Sequence, residues 1–282
     1  FSRGIIILTI LMPISIALYV NKNKNILAIT IFCLVSLIIV LGPNDSSKIA
    51  LLSAILASTL IYFLGPKAFL YFGIVSLIYI FCLPPISKYI FPLLGDIEKN
   101  IIITVPKCNK DHLSKNSPWE RIPNSNKCVL TLKWQETSTG GSIIHRLLVW
   151  EYVGSEILKK PFLGNGIGTS RLIGQNIILN IPNTKQEIKG GIPLHPHNNF
   201  LEIWLELGLL GILMLSFIWI KIIKFGINIR KHSFVIGTGV CTSIVTIFVI
   251  SNLTFGAFQA WWMASIGLLF LIILESCKYT KQ

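Results

Sequence analysis

The stretch HPHNNFLEIWLELGLLG, residues 195–211, decides how the rest of the chain is read. It sets two imidazoles and a carboxamide, from His195, His197 and Asn198, directly before a run of hydrocarbon. That run takes in Phe200, Leu201, Ile203, Trp204, Leu205 and Leu207 and continues to Ile220. Its length suits a bilayer crossing, for which about 20 helical residues are needed. The polar cluster therefore stands at one mouth of a membrane helix, wet enough to titrate and close enough to lipid to meet an amphiphilic substrate.

Composition extends this reading to the whole chain. Hydrophobic residues make up 52% of the 282 and charged residues 13%, and the mean hydropathy is +0.69. That balance excludes a soluble globular domain. The 25 basic residues against 12 acidic ones leave a formal charge of +13. In a soluble protein such an excess would suit nucleic acid, but apolar runs separate the charges here. The expected partner is therefore an anionic lipid or a phosphate, with no nucleic acid. The opening apolar run lacks a small-residue cleavage site, so no signal peptide is expected, and the chain reads as a piece of a longer membrane protein. The six cysteines show no metal-type spacing. Cys33, Cys82, Cys241 and Cys277, in or beside apolar runs, are expected to be packed thiols.

Apolar runs occupy residues 4–20, 26–41, 49–64 and 68–83, then 197–220, 234–250 and 257–274. Several are short for a crossing, yet only a helix hides that much backbone in lipid. The expected architecture is an all-α polytopic membrane protein with seven transmembrane helices. Residues 1–83 would hold four of them, residues 84–196 a large outer loop domain, and residues 197–282 the remaining three. Lys22 and Lys24, Lys67, the Lys221 to Lys231 group and Lys278 with Lys281 all fall on one side if the helices alternate, which marks that side as cytoplasmic. Arg3, the turn at residues 44–48, the large loop and the turn at residues 251–256 then lie outside.

The loop carries 14 basic and 8 acidic residues, a surplus that would attract phosphate. Cys108 and Cys128 lie in it, and a disulfide between them is as consistent with the sequence as two free thiols. A strand is expected at residues 128–134. Residues 142–160 place Ile143, Leu147, Trp150, Gly154 and Leu158 at helical spacing, with Arg146, Glu151, Glu156 and Lys159 off that face. This predicts an amphipathic helix at the outer interface, ended by Pro161. In PFLGNGIGTSR, Gly164, Gly166 and Gly168 alternate, which fails the dinucleotide pattern. The glycines read as a tight loop, and a loop of this kind can also offer N–H groups to a phosphate. Glu202 and Glu206, one turn apart on an apolar helix, are expected to pair with outer basic residues or with this loop. Trp261 and Trp262 read as interface anchors.

Arg146 with Trp150 four residues on, then Pro161 and the alternating glycines, then His197-Asn198, nine residues and Gly208-Leu-Leu-Gly211, together resemble the O-antigen ligase and polymerase superfamily, nearer the ligase branch. The likeness covers roughly residue 44 to the end. It implies a GT-C-like membrane glycosyltransferase of the bacterial inner membrane. Such an enzyme moves a glycan from undecaprenyl diphosphate to an acceptor such as lipid A core on the periplasmic face, without metal or nucleotide cofactor. The likeness puts the essential histidine on His197 and a periplasmic arginine on Arg146. A second arginine, in a Ser-Arg pair, would fall on Ser47-Lys48. Lysine keeps the charge there and loses the planar fork. Either Lys48 serves as a point charge or the role passes to Arg171.

The chemistry of the residues is compatible with these roles. Transfer from a lipid diphosphate needs cations on the leaving group and a partner for the acceptor hydroxyl. Arg146 and Lys48, with Arg171, suit the first; His197 suits the second, as base, as hydrogen-bond acceptor or as a phosphate ligand. Asn198 and His195 join them as candidate substrate-binding groups. Each has a duller reading: helix capping for His197, lipid snorkelling for Arg146, a helix-end anchor for Lys48, and surface or supporting roles for His195 and His145. The alternative activities are a polysaccharide polymerase, a transporter of lipid-linked sugar or anion, and a membrane scaffold. A transporter is expected to carry charge inside its helices, whereas here the polar groups gather at one face.

Overall fold

A computed structural model describes residues 2–90, 102–105, 119–121, 128–132, 140–174, 178–180, 187–189, 192 and 194–280. Helices α1 (Ser2–Asn21), α2 (Asn25–Leu41), α3 (Asp45–Leu64) and α4 (Pro66–Pro85) follow one another through turns of a few residues. Local chemistry sets their ends. The Asn44 side chain accepts from Ser47 N at 3.3 Å and caps α3, and Gly65 in a positive-φ conformation stops it before Pro66 opens α4. Pro84 and Pro85 supply no N–H donors, and α4 widens beyond them into a π-helical turn, Ile86–Ile90.

The large loop contributes a three-stranded antiparallel sheet of β1 (Ile102–Val105), β2 (Trp119–Arg121) and β3 (Cys128–Leu132), in the order β1-β3-β2. The strand expected at residues 128–134 is thus present as β3. A second small ribbon pairs β4 (Ile178–Asn180) with β5 (Glu187–Lys189). Cys108 lies outside the described residues, and the disulfide expectation with it. Between these ribbons stand α5 (Gly140–Lys159) and the short α6 (Ser170–Gly174). The chain then runs through α7 (Asn199–His232), α8 (Phe234–Leu253) and α9 (Ala260–Ser276) to a 3-10 turn, Cys277–Thr280.

The protein is an all-α polytopic membrane protein. Among the described residues five helices are long and apolar enough to span a bilayer, namely α1, α3, α4, α7 and α8; α2 and α9 are apolar but shorter, at 17 residues each. The core forms around α8, which packs against α1, α3 and α7. Small residues allow the approach: a Cβ on Gly239 would lie 2.4 Å from the Ala17 Cβ and 3.0 Å from the Pro13 carbonyl. Close contact through small side chains is how helices associate where lipid removes the hydrophobic drive. α2 is the least buried of the described apolar helices, with only Ala28 and Ile39 inside. Cys33 and Cys82, expected to be packed, instead face outward from apolar helices, whereas Cys241 is buried.

The run from residue 197 to 220 differs most from expectation. It becomes a 34-residue helix that starts at Asn199, absorbs Lys221 to Lys231 into its last turns and leaves Ser233 as the link to α8. It is also broken. Gly208 takes φ 61° and ψ −155°, a conformation open essentially only to glycine. Phe200 and Trp219 both contact the Phe248 ring, at centroid distances of 5.1 and 5.3 Å. In a straight helix their 19-residue separation would put them about 28 Å apart. The first two turns of α7 therefore cross the end of the bundle, and the rest runs along it.

A loop fills the break. In an unbroken helix the N–H groups of residues 209 and 210 would donate to the carbonyls of Leu205 and Glu206. Here Leu209 and Leu210 donate to the carbonyls of Pro161 and Phe162 at 2.8 and 3.5 Å, while Asn165 N and Gly166 N take Leu205 O and Glu206 O at 2.9 and 2.8 Å. The alternating glycines all have positive φ, so the loop can wind close to the helix backbone. The Glu206 carboxylate, buried, accepts from Gly168 N and from the N–H and hydroxyl of Ser170, at 2.6 to 3.2 Å. These N–H groups are therefore committed within the protein, and the phosphate reading of the glycine loop is replaced by the tight-loop one.

Candidate functional site

The segments expected on one side of the membrane converge at one end of the bundle. The Arg3 guanidinium lies over the Trp261 ring at 5.3 Å, and the Ser46 hydroxyl is 3.5 Å from Leu253 O. At the opposite end Arg230 donates to Ile61 O at 3.3 Å and covers the Phe234 ring at 4.0 Å. Trp262, expected as an interface anchor, is instead buried, and its indole N–H is satisfied by the Asn199 amide.

At the first end, residues 195–198 form a tight turn in which His197 takes φ 55°. Asn198 caps α7: its Oδ1 accepts from Phe200 N at 3.0 Å and Leu201 N at 3.1 Å, and its Nδ2 donates to Asn252 Oδ1 at 3.2 Å. Tyr79 donates to the same Asn252 oxygen at 2.8 Å, which ties α4, α7 and α8 together beneath the turn. His197 Nδ1 lies 2.7 Å from Thr254 O. A carbonyl only accepts, so Nδ1 carries the proton and Nε2 keeps its lone pair. His195 Nδ1 accepts from His197 N at 3.2 Å, and the two rings meet edge to face at 4.6 Å.

Glu202 supports this turn from below. Its buried carboxylate accepts from Ala257 N, at the end of the segment whose Thr254 carbonyl orients His197. Glu202 and Glu206 thus serve backbone N–H groups, Glu206 those of the loop, and neither is paired with an outer cation among the described contacts.

α5 delivers Arg146. Gly154 lets the helix sit against the π turn, since a Cβ there would lie 2.7 Å from Pro84 O. The buried face is Val149, Trp150, Val153, Gly154 and Ile157, whereas Leu158, expected on it, is exposed. The Trp150 indole donates to Pro196 O at 2.7 Å, and Arg146 lies one turn earlier on the same side. Replacing Trp150 with Phe is expected to leave that carbonyl unsatisfied and to destabilise the protein by about 1–2 kcal/mol. A lowered Tm in detergent, with a reduced kcat/KM, checks it.

Charge links the three separate stretches. Burial lowers the pKa of Arg146, and the Asp45 carboxylate opposes that shift. Lys48 Nζ lies 3.1 Å from the same carboxylate and is about two-fifths exposed. Burial also lowers His197 below its ordinary 6.5, the Thr254 carbonyl works against this, and the Arg146 charge adds to it. His195 is pushed down to about 4 by burial and by its neighbour His197. Both imidazoles are therefore neutral at pH 7. Asp45, Lys48, Arg146 and His197 interact as one set, with His195 and Asn198 in the same turn. Arg171 is exposed on α6, and no described contact brings it to them. Among the described residues no three His, Cys, Asp or Glu side chains gather as metal ligands.

Asp45, Tyr79, Asn252 and Thr254 were not singled out from the sequence. Asp45 had a signal in its i,i+3 spacing from Lys48, and Asn252 in its polarity at the end of an apolar run. Thr254 acts through its backbone carbonyl, which leaves no sequence signal.

Residues 31–216 match the O-antigen ligase family. Proteins named "Putative polysaccharide ligase" from Rickettsia conorii and Rickettsia prowazekii are 31% and 32% identical over 140 residues, which is 49% of this chain and 33% of each relative. A protein of the same name from Rickettsia bellii is 35% identical over 129 residues, 45% of this chain and 31% of its own. The matched part thus spans about a third of those relatives' length. No solved structure matches. With about two thirds of its residues inside the family match, the chain belongs to the O-antigen ligase family.

Proposed function

We propose that the chain carries the transfer site of a glycosyltransferase that moves a glycan from undecaprenyl diphosphate to an acceptor hydroxyl, as on lipid A core. The site would face the periplasm from the bacterial inner membrane. The observation that supports this most is the electrostatic set of Lys48, Arg146 and His197, drawn from three distant stretches to one end of the bundle. Arg146, partly desolvated, is the principal cation for the leaving diphosphate, because its fork grips two phosphate oxygens. Lys48 adds a point charge, and Asp45 holds both cations in place until substrate arrives. Neutral His197 presents Nε2 as acceptor for the hydroxyl proton. His195 and Asn198 hold the turn, and Arg171, which no described contact brings to them, is left outside the set.

Attack by the acceptor oxygen opposite the diphosphate inverts the anomeric carbon in one step; a product of retained configuration would contradict this mechanism. The Rickettsia relatives' names favour the ligase over the polymerase. Reconstituted full-length protein given lipid-linked glycan with and without lipid A core separates the two. Product only when core is present is the expected result, and chain lengthening without core would identify a polymerase instead.

A further inference from the structure

Residues 161–172, PFLGNGIGTSRL, turn four large apolar side chains outward: Phe162, Leu163, Ile167 and Leu172 are 69%, 74%, 74% and 65% exposed. Loops of soluble domains rarely show such a cluster, and contiguous exposed hydrocarbon marks a contact surface. The segment is firmly held, because its first half replaces the missing hydrogen bonds of α7 at Gly208 and its second half is clamped at Gly168 and Ser170 by the Glu206 carboxylate. It also continues a surface already facing lipid. The Phe162 carbonyl accepts from Leu210 N, and Leu210 opens an outward band with Leu213, Met214 and Phe217 on the spanning part of α7. Basic residues flank the apolar tips. Lys159, shared with Glu156 at 2.6 Å, and Lys160 precede them, and Arg171 lies among them. Apolar side chains bordered by cations are the pattern of a segment seated at an anionic bilayer surface.

We propose that residues 161–172 form an interfacial lipid anchor. Phe162, Leu163, Ile167 and Leu172 enter the acyl region of the leaflet at the His197 end, and Lys160 and Arg171 meet phospholipid headgroup phosphates. Because the same segment fills the break in α7, the anchor fixes the depth of the cross-lying turns that carry His197. The proposal rests on the reading of α7 beyond Gly208 as membrane-spanning.

The test is photocrosslinking of the full chain in liposomes of phosphatidylcholine and phosphatidylglycerol carrying a labelled acyl chain. The photoreactive residue p-benzoylphenylalanine replaces Leu163, Ile167 or, as the spanning control, Met214, all exposed enough to accept it. The expected result is labelled lipid on positions 163 and 167 in yields comparable with position 214. Lipid adduct at 214 together with protein adducts alone, or none, at 163 and 167 would overturn the anchor while leaving the spanning reading intact. Absence of lipid adduct at all three would remove the spanning reading and the anchor with it.

Discussion

Replacing His197 with Asn is expected to lower glycan transfer roughly 100- to 10,000-fold, the range typical for loss of a positioned proton acceptor, while the protein inserts and melts as before. Asparagine suits this test better than alanine. It tolerates the positive φ of 55° at this position, and its amide can donate to Thr254 O in place of Nδ1. What it lacks is the lone pair of Nε2. The pH dependence carries a second signature. The competent imidazole is neutral, so activity is present above its pKa and lost as pH falls through it. Burial and the Arg146 charge lower that pKa below 6.5, so the acid limb should lie below 6.5. Arg146→Gln should reduce the rate by roughly 100- to 1,000-fold through lost diphosphate stabilisation. It should also move the normalised acid limb upward, because one of the two lowering causes is gone. Rates measured from pH 4.5 to 8 in both backgrounds check this; an unmoved limb would mean that the two side chains do not share a site. A His197→Asn protein with near-normal transfer would remove the catalytic role.

The polar turn and the helix bearing Arg146 were legible because their signals are local. Histidine and asparagine before an apolar run imply a polar helix mouth, and the apolar spacing through Trp150 implies the amphipathic helix that carries Arg146. That Arg146 stands one turn from Trp150 on the same side was not expected, since the apolar spacing put it off that face. The C-terminal ends of α3 and α5 followed from Gly65-Pro66 and Pro161, again local signals, whereas the cap at Asn44 starts α3 at Asp45, four residues before the apolar run at residue 49. The break in α7 was not legible. Gly208 lies in a run whose hydropathy is continuous across it, and a lone glycine inside a helical pattern is ordinarily tolerated. The cause is tertiary, since a loop some 40 residues earlier supplies the hydrogen bonds that the helix gives up. The buried face of α5 was displaced for a related reason. Periodicity marks the apolar stripe, but contact with the π turn of α4 and with α7 brings Val149, Val153 and Ile157 inward and leaves Leu158 outside. Lys48 could be placed near phosphate chemistry only by resemblance, and its pairing with Asp45 needed coordinates.

Gly208→Ala is expected to be among the most damaging single-methyl changes available in this chain. The glycine's φ and ψ fall in a region that costs a side-chain-bearing residue on the order of 1–3 kcal/mol. A Cβ would also lie 2.5 Å from Gly164 N and from Phe162 O, backbone atoms that cannot rotate aside. Relief requires the loop to withdraw, which breaks the four backbone bonds between residues 161–166 and 205–210, each with a net worth of about 1 kcal/mol. Destabilisation of at least about 3 kcal/mol follows, in the range reserved for specific structural faults. The chain has one other way out. α7 can straighten and recover its own hydrogen bonds, with alanine the better helix former. Phe200 and Trp219 could not then both reach Phe248, and the His197 turn would leave Asn252 and Thr254. Both routes abolish transfer, and they are told apart by Tm, which falls in the first and is largely kept in the second. Gly267→Ala in α9, where an added Cβ meets nothing within 4 Å, serves as the matched control and should leave both properties unchanged. A Gly208→Ala protein with normal Tm and normal transfer would mean that the break has no part in presenting His197.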